Sequence, residues 1–313
     1  MFKVDDIVGR VTLSRVLKLL FVVIVLAIAV MLYPPLRLSA LVFVGRSPVC
    51  PLSQAIQAEE NQKRQIQIKD RILKASKMVG KDEKFEQWET PKGTFWIAAG
   101  SRYVLPFNLA EQERKIYGSG QNFIRSGDVV LDCGANIGVF VKESLNAGAK
   151  TVVAIEPAPE NIECLRRNFK DEIASGRVIV YAKGVWDKDD FLTLHIDEHN
   201  SAADSFVMHP KDAHETDQKF PLTTIDRLVA ELNLPRVDYI KMDIEGAEVK
   251  ALHGARSTIA RYHPRMGLSV YHAADHPIEV PKAAREAWSG YNVECGPCAV
   301  ANGRIRPDIL YFY

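Results

Sequence analysis

The residues best suited to chemistry begin with a short glycine-containing stretch, Asp132-Cys133-Gly134-Ala135-Asn136-Ile137-Gly138. The apolar run Val129–Leu131 precedes it and a helical pattern follows, which predicts a strand, a turn and a helix. Gly134 would let the backbone approach a ligand, and Gly138 would let the helix pack near the strand. The glycine spacing differs from G-x-G-x-x-G, and the acid Asp132 would repel a diphosphate. The stretch therefore favours a cationic nucleoside, and S-adenosylmethionine, with its ammonium and sulfonium, suits it.

A carboxylate at the end of the next strand supports the same ligand. Glu156 follows the apolar run Val152–Ile155 and lies about 20 residues beyond Gly134, where an acid can accept hydrogen bonds from both ribose hydroxyls. Val185, after the third strand, is expected to contact the adenine. Together these features predict a nucleoside site at the ends of neighbouring strands.

A charged stretch closes the fourth apolar run. In a strand, Lys241, Asp243 and Glu245 point to the same side, and the carboxyl end of a central parallel strand is where ligands bind in open α/β sheets. The alternative is an ion pair beside an acid at a helix start. The candidate bases for removing a hydroxyl proton are Asp243 and His272, which follows the fifth run. His272 either acts as this base or positions an acceptor, unless it is a surface histidine. Lys241 either sets the ionisation of Asp243 or acts itself.

Regular alternation of strands and helices must position these residues. Near-continuous apolar runs separated by helical patterns predict an α/β domain with a parallel sheet covered on both faces. The final runs, Tyr291–Glu294 and Ile305–Tyr313, have no helix between them and predict an antiparallel closing hairpin. The predicted strands are Val129–Leu131, Val152–Ile155, Val178–Tyr181, Tyr239–Met242 and Leu268–Tyr271, and the helices are Ile137–Ala147, Glu160–Phe169, Ala247–Ala260 and Lys282–Trp288.

From Glu113 to Tyr313 the chain resembles the FkbM-type S-adenosylmethionine-dependent methyltransferases. The resemblance rests on the glycine-containing stretch and on Ile155-Glu156-Pro157 with Asn161, Leu222-Thr223-Thr224-Ile225-Asp226, and Lys241-Met242-Asp243-Ile244-Glu245-Gly246-Ala247-Glu248. It implies a class I methyltransferase-like, Rossmann-like sheet of seven strands with an antiparallel last strand. It also implies methyl transfer to oxygen, commonly a hydroxyl of a sugar, polyketide or other secondary metabolite. The implied cofactor residues are Asp132, Gly134, Asn136, Gly138 and Glu156, and the implied acids at the reaction centre are Asp243 and Glu245.

The N-terminal region is far more apolar than the rest. Leu19–Tyr33 carries no charge, and residues 16–36 reach the roughly 20 residues needed to span a bilayer. This predicts a transmembrane anchor, with a signal peptide cleaved near Leu38-Ser39-Ala40 as the alternative. The basic residues before the segment favour a cytoplasmic N-terminus and an exported body. S-adenosylmethionine is made in the cytosol, however, so we expect the catalytic body to be cytoplasmic.

Composition limits the remaining possibilities. The 313 residues carry a net charge of +1, which argues against a nucleic-acid partner, and five cysteines exclude a disulfide scaffold. Cys295-Gly296-Pro297-Cys298 is expected to form a hairpin turn, with redox or disulfide chemistry as the alternative. No metal is expected, because the pairs His272/His276 and His195/His199 lack a third ligand. A divalent ion on Asp243 and Glu245 that binds a substrate diol is the weaker alternative.

The predicted organisation is a tail (1–15), an anchor (16–36), a helical stalk (37–84), a hairpin and helix (85–127) and a methyltransferase domain (128–313). The acceptor, a small molecule or a glycan, is not identified, and residues 196–220 are expected to shape its pocket. The oligomeric state is open. Other interpretations are a nicotinamide-dependent oxidoreductase, a catalytically silent nucleoside- or glycan-binding domain, and a membrane-anchored scaffold.

Overall fold

The N-terminal helix stands apart from the body. The computed structural model describes residues 4–196, 206–207 and 214–313. Helix α1 (Val4–Leu32) ends just before Pro34, where α2 (Pro34–Phe43) begins. Within α1, the segment Arg15–Leu32 has a mean hydropathy of 2.7, and none of it is buried. By length and composition it can cross a membrane, and a signal sequence has the same properties.

The segment after α2 packs on the body. Helices α3 (Leu52–Ala55) and α4 (Ala58–Ala75) follow, and α4 buries Ala58, Gln65 and Ile72. The Gln65 amide donates to the carbonyl of Phe107 at 3.1 Å. The predicted stalk therefore contains a helix, and α4 is docked on the body because its apolar face covers the next elements along the chain.

An antiparallel sheet follows, with strands β1 (Lys77–Lys81), β2 (Phe85–Thr90) and β3 (Gly93–Ala98). The predicted hairpin is β2–β3, which turns at Gly93 with φ of 120°. Strand β1 adds a third strand within the region predicted to be a stalk. Helix α5 (Val104–Glu113) and a short 3-10 helix (Gly120–Asn122) lead into the main domain.

The main domain alternates strands and helices as predicted. Its first part comprises β4 (Val129–Cys133), α6 (Val139–Asn146), β5 (Thr151–Ile155), α7 (Pro159–Asn168), α8 (Lys170–Ala174), β6 (Val178–Tyr181), β7 (Gly184–Val185), β8 (Asp190–Ile196), β9 (His214–Thr223) and α9 (Ile225–Glu231). Its second part comprises β10 (Tyr239–Met242), α10 (Glu248–His253), α11 (Arg256–Tyr262), β11 (Arg265–Ser269), α12 (His276–Ala287), β12 (Val293–Cys295), β13 (Cys298–Ala301), β14 (Arg304–Pro307) and β15 (Ile309–Phe312).

A seven-stranded sheet forms the centre, in the order β12-β15-β11-β10-β4-β5-β6. Strand β15 runs antiparallel to both of its neighbours, and the other pairs are parallel. This confirms the predicted class I methyltransferase-like sheet with its antiparallel last strand. The carboxyl ends of β4, β5, β10 and β11 meet at one edge, so the predicted motifs converge there.

Several boundaries differ from the prediction, among them the start of α12, which begins at His276 and not at Lys282. The expected helix Ala247–Ala260 is divided into α10 and α11 at Gly254, where a Cβ atom would lie 2.0 Å from the Trp186 carbonyl oxygen. Strand β11 begins and ends earlier than predicted, so His272 lies beyond the strand rather than at its tip. A separate three-stranded sheet, β7-β9-β8, flanks the domain.

The C-x-x-C stretch does not form a hairpin turn. Residues 295–298 connect β12 to β13, which belong to different sheets. Cys298 forms a disulfide with Cys50, 248 residues earlier in the sequence, and Cys295 is free. The alternative of disulfide chemistry is therefore the correct one for Cys298. Local spacing does not reveal this partner, because the pair forms only when the segment between α2 and α3 packs on β13.

Candidate active site

The glycine-containing loop after β4 packs directly on the loop after β10. Gly134 has φ of 78°, and a Cβ atom there would lie 1.9 Å from the backbone oxygen of Asp243. The amides of Gly134 and Ala135 both donate to the Ile155 carbonyl at 3.0 Å. Only glycine fits this approach, and it brings the ends of β4, β5 and β10 together.

A buried ion pair between Lys241 and Asp132 stabilises this loop. The Lys241 ammonium lies 3.2 Å from Asp132 Oδ1 and donates to the Gly134 carbonyl at 2.7 Å. Burial raises the pKa of Asp132 to about 6, although Lys241 opposes the shift. Asp132 is completely buried and faces Lys241, and its expected contact with a cationic ligand stays a prediction. Its charge is compensated by Lys241.

Gly138 also lies away from the cavities. A Cβ atom on Gly138 would lie 2.2 Å from Cε2 of Phe169 and 2.9 Å from Cδ2 of Leu165. The residue therefore permits α6 to pack against α7, which is the packing role that its glycine was expected to have. Its place in the cofactor site stays a prediction.

Glu156 presents a fixed carboxylate at the end of β5. It accepts hydrogen bonds from the amides of Asn136 at 2.8 Å and Ala158 at 3.0 Å, and from the Asn161 side chain at 3.3 Å. Burial raises the pKa of Glu156, and these donors oppose the shift. Asn136 adopts a left-handed conformation with φ of 47°, which turns its amide towards Glu156.

A small cavity of about 60 Å³ adjoins Glu156. Its apolar walls include Ile155, Pro157, Val185 and Phe206. An aromatic base fits between such walls while a sugar hydroxyl reaches the carboxylate. The structure thus brings Val185 and Glu156 together, as the sequence predicted.

A larger cavity of about 560 Å³ shares Gly134, Asn136, Asp243 and Glu245 with the small one. Lys241 lines it too, so the three charged residues predicted from strand periodicity face one space. Glu245 reaches it differently from the prediction, because it lies beyond β10 in a left-handed turn with φ of 51°.

Several residues of this cavity come from the region before the main domain. They are Tyr103, Phe107, Glu111 and Tyr117. Burial, with the nearby Asp243 charge, raises the pKa of Glu111 well above its usual value. No local motif marks these residues, because they reach the site only when α5 packs across the sheet edge.

Asp243 is held in its ionised form. Tyr117 Oη donates to Asp243 Oδ2 at 2.6 Å, and Tyr271 Oη lies 3.4 Å from Oδ1. Burial alone would raise the pKa of Asp243, but the positive charge of Lys241, assisted by the His272 imidazolium and the Tyr117 hydrogen bond, lowers it. Lys241 therefore sets the ionisation of Asp243, which is one of the two roles predicted for it.

His272 is enclosed by carboxylates. Its side chain is 1% exposed, Nδ1 lies 2.9 Å from Glu248 Oε1, and Nε2 lies 3.3 Å from Glu245 Oε2 and 3.5 Å from Asp243 Oδ1. Burial alone would lower the pKa of His272, but Glu245 and Glu248 raise it to about 11. His272 is therefore not a surface histidine, and with this pKa it is protonated at neutral pH and positions Asp243 and Glu245.

Part of the expected acceptor pocket lies outside the described residues. Residues 197–205 and 208–213, which include Asn200-Ser201-Ala202-Ala203-Asp204-Ser205 and His199, belong to that part.

Comparisons with known proteins agree with this geometry. Residues 132–298, just over half of the chain, match the family model described as "Methyltransferase FkbM domain". "Methyltransferase 1" of Beauveria bassiana (strain ARSEF 2860) is 28% identical over 145 residues, which cover 40% of this chain and 57% of that protein.

Two solved structures are also similar to this chain. The structure of methyltransferase FkbM from Methylobacillus flagellatus KT is 18% identical with a TM-score of 0.47, and the match covers 81% of this chain and 60% of that one. A Streptococcus mutans protein in complex with SAH is 10% identical with a TM-score of 0.37, covering 65% of this chain and 97% of that one. The chain thus spans about three fifths of the curated relative and of the FkbM structure.

Proposed function

We propose that this chain, which belongs to the FkbM methyltransferase family and uses S-adenosylmethionine as its methyl donor, methylates a hydroxyl oxygen of a sugar, glycan or other small-molecule acceptor. One observation carries the proposal. The small cavity beside Glu156 and the larger cavity beside Asp243 share Gly134, Asn136, Asp243 and Glu245. A donor in the first and an acceptor in the second would therefore meet at the two carboxylates.

The small cavity fits a nucleoside. Glu156 would hold the ribose hydroxyls, because its carboxylate is fixed by three donors and still faces the cavity. Val185 and Phe206 would contact the adenine. The sulfonium supplies an activated methyl group. Asp243, whose pKa is lowered and which lines the larger cavity, gives the cationic end of the donor a negatively charged neighbour.

The larger cavity would align and deprotonate the acceptor. Methyl transfer requires the acceptor oxygen to lie in line with the methyl group and the leaving sulfur, so positioning is the main task of the protein. The pKa of Asp243 is lowered, while burial raises the pKa of Glu245. A carboxylate with a raised pKa is the better proton acceptor. We therefore assign proton acceptance to Glu245 and orientation of the hydroxyl to Asp243.

The apolar helix would anchor the protein in a membrane. The expectation of a cytoplasmic body rests on where S-adenosylmethionine is made, and the Cys50–Cys298 disulfide supports the opposite orientation. Disulfides persist in oxidising compartments, and the basic residues Arg10, Arg15 and Lys18 favour a cytoplasmic N-terminus. We therefore propose an exported body, to which the methyl donor must be delivered. Protease added from the exported side of sealed vesicles is expected to degrade it, and protection would contradict this orientation.

The proposed reaction can be tested with the full chain in detergent. The protein is incubated with S-adenosylmethionine carrying a ¹³C-labelled methyl group and a set of sugars, glycans and polyols. A labelled methyl ether, detected by NMR, is the expected product. Label on nitrogen alone would contradict the assignment to oxygen. Glu245→Gln is expected to lower the rate, whereas the control Glu279→Gln, at a partly exposed glutamate of α12, is not.

A further inference from the structure

The side chains of Asp243, Glu245 and His272 converge on one point at the edge of the larger cavity. One oxygen from each carboxylate and one histidine nitrogen lie within 4.8 Å of one another. The Nε2 atom of His272 is 3.5 Å from Asp243 Oδ1 and 3.3 Å from Glu245 Oε2. Ligand atoms about 2.1 Å from a shared ion lie roughly 3.0 to 3.4 Å apart in octahedral or tetrahedral geometry. The observed spacing is close to that of a coordination shell.

The histidine supplies an independent indication of a ligand. Its side chain is 1% exposed, and Nε2 lies 3.5 Å from Asp243 Oδ1 and 3.3 Å from Glu245 Oε2, both longer than a well-formed hydrogen bond. A buried nitrogen of this kind normally has a partner. The other ring nitrogen, Nδ1, lies 2.9 Å from Glu248 Oε1, and Glu248 is also fixed by the Ile244 amide at 3.0 Å. Metal-binding histidines are held in this way by a carboxylate on the second nitrogen.

The charges around His272 also favour a bound cation. The carboxylates of Asp243, Glu245 and Glu248 surround a single imidazole, which can carry at most one positive charge. Lys241 also faces Asp243, but its ammonium is paired with Asp132. Closely spaced carboxylates repel one another, and a divalent cation would offset this repulsion more fully than the single proton of an imidazolium does.

We propose that Asp243, Glu245 and His272 bind a divalent transition-metal cation, which would replace the proton on His272 Nε2, with Glu248 as the carboxylate that orients His272. Two carboxylates and one imidazole suit Mn²⁺ or Zn²⁺, whereas Mg²⁺ prefers oxygen ligands and near-ideal octahedral geometry. Three protein ligands leave positions open towards the larger cavity. A substrate with two adjacent oxygens, such as a vicinal diol or an α-hydroxy carbonyl compound, could occupy them.

This inference rests on the proposed function for its substrate class and adds a second route to the reactive oxygen. A hydroxyl bound to the cation has a lowered pKa, so the cation would assist the loss of the proton that is otherwise assigned to Glu245. The acceptor hydroxyl gives its proton to solvent water and the oxygen–methyl bond forms. The sulfur–methyl bond breaks with its electron pair left on the sulfur of S-adenosylhomocysteine, so no oxidant or reductant is required.

Binding of Mn²⁺ to the full chain in detergent, after treatment with a chelator, tests the site without an activity assay. Electron paramagnetic resonance of free Mn²⁺ is expected to show one bound ion per chain, displaced by Zn²⁺ more readily than by Mg²⁺. His272→Gln and Glu245→Gln are expected to weaken binding by more than about 100-fold, and Glu248→Gln by about 10- to 100-fold. The control His253→Asn, at a partly exposed histidine outside the cavity, should bind as the wild type does.

Calorimetry with S-adenosylmethionine on the same variants shows whether each still folds and binds the donor. Wild-type protein that binds the donor but no Mn²⁺, or a His272→Gln variant that keeps wild-type Mn²⁺ affinity, would overturn the metal site. Either result would leave the proposed methyltransferase function standing. Methyl transfer at an undiminished rate by metal-free protein would likewise overturn the catalytic part of the inference alone.

Discussion

Removal of the Lys241 ammonium is expected to lower the free energy of unfolding, because it leaves the buried Asp132 carboxylate next to the glycine-containing loop without its partner. In Lys241→Met, Asp132 keeps its completely buried carboxylate but loses the ammonium 3.2 Å away, and the Gly134 carbonyl loses its donor. Breaking a buried ion pair on one side costs about 3–5 kcal/mol. Replacing both partners, in Lys241→Met with Asp132→Leu, should recover most of this loss because no unpaired charge remains.

The dependence on pH has a definite sign. Because the folded pKa of Asp132, about 6, lies above the ordinary 3.8, folding takes up a proton between these values. The contribution of Asp132 to stability therefore falls as the pH rises from about 4 to about 6. In Lys241→Met the folded pKa of Asp132 should be higher still, so this decrease should extend to higher pH. The loss in Lys241→Met should shrink when unfolding is measured near pH 5.

Urea unfolding of the full chain in detergent, followed by tryptophan fluorescence, provides the free energies. Lys250→Met is the matched control, because Lys250 forms a 2.8 Å pair with Asp187 at the surface and its removal should cost no more than about 1 kcal/mol. Equal losses in Lys241→Met and Lys250→Met, or a double variant no more stable than the single one, would refute the reasoning about the buried pair.

Three further changes test other contacts. Tyr117→Phe removes the 2.6 Å hydrogen bond to Asp243, so kcat should fall about tenfold. Because the pKa of Asp243 rises without this bond, the acid limb of the pH profile of kcat should move to higher pH. An unchanged acid limb would exclude this contact from catalysis. Gly134→Ala places a Cβ atom 1.9 Å from the Asp243 carbonyl, and calorimetry should show donor affinity at least about tenfold weaker; wild-type affinity would contradict the close approach. Cys50→Ser removes the link to Cys298 and should lower the free energy of unfolding by about 2–5 kcal/mol, while a reductant should destabilise the wild type only; an unaffected wild type would argue against the disulfide.

The sequence predicted the sheet edge well because parallel strands end together. The acids Glu156, Asp243 and Glu245 follow apolar strands whose carboxyl ends share one edge, and alternation alone is enough to locate them. Asp132 shows the limit of this reasoning. Its position beside the loop was correct, but the direction of its side chain depends on Lys241, a partner on another strand.

Contacts between distant segments could not be predicted from local patterns. Tyr117 lies before the main domain and reaches Asp243 across 126 residues of sequence. The Cys50–Cys298 disulfide joins the segment before α3 to β13. Neither contact leaves a spacing or periodicity in the chain, because each depends on how completed elements pack against one another.

Calorimetric titration of the full chain with S-adenosylmethionine tests the central claim most directly. The account predicts saturable binding by the wild type. Glu156→Gln removes the charged acceptor of the ribose hydroxyls, so this variant should bind S-adenosylmethionine about 10- to 100-fold more weakly, or by roughly 1.5–3 kcal/mol. The exposed control Glu160→Gln, on the first turn of α7, should bind as the wild type does. Absence of binding by the wild type, or equal affinity in Glu156→Gln, would contradict the assignment of this edge of the sheet as a methyl-donor site.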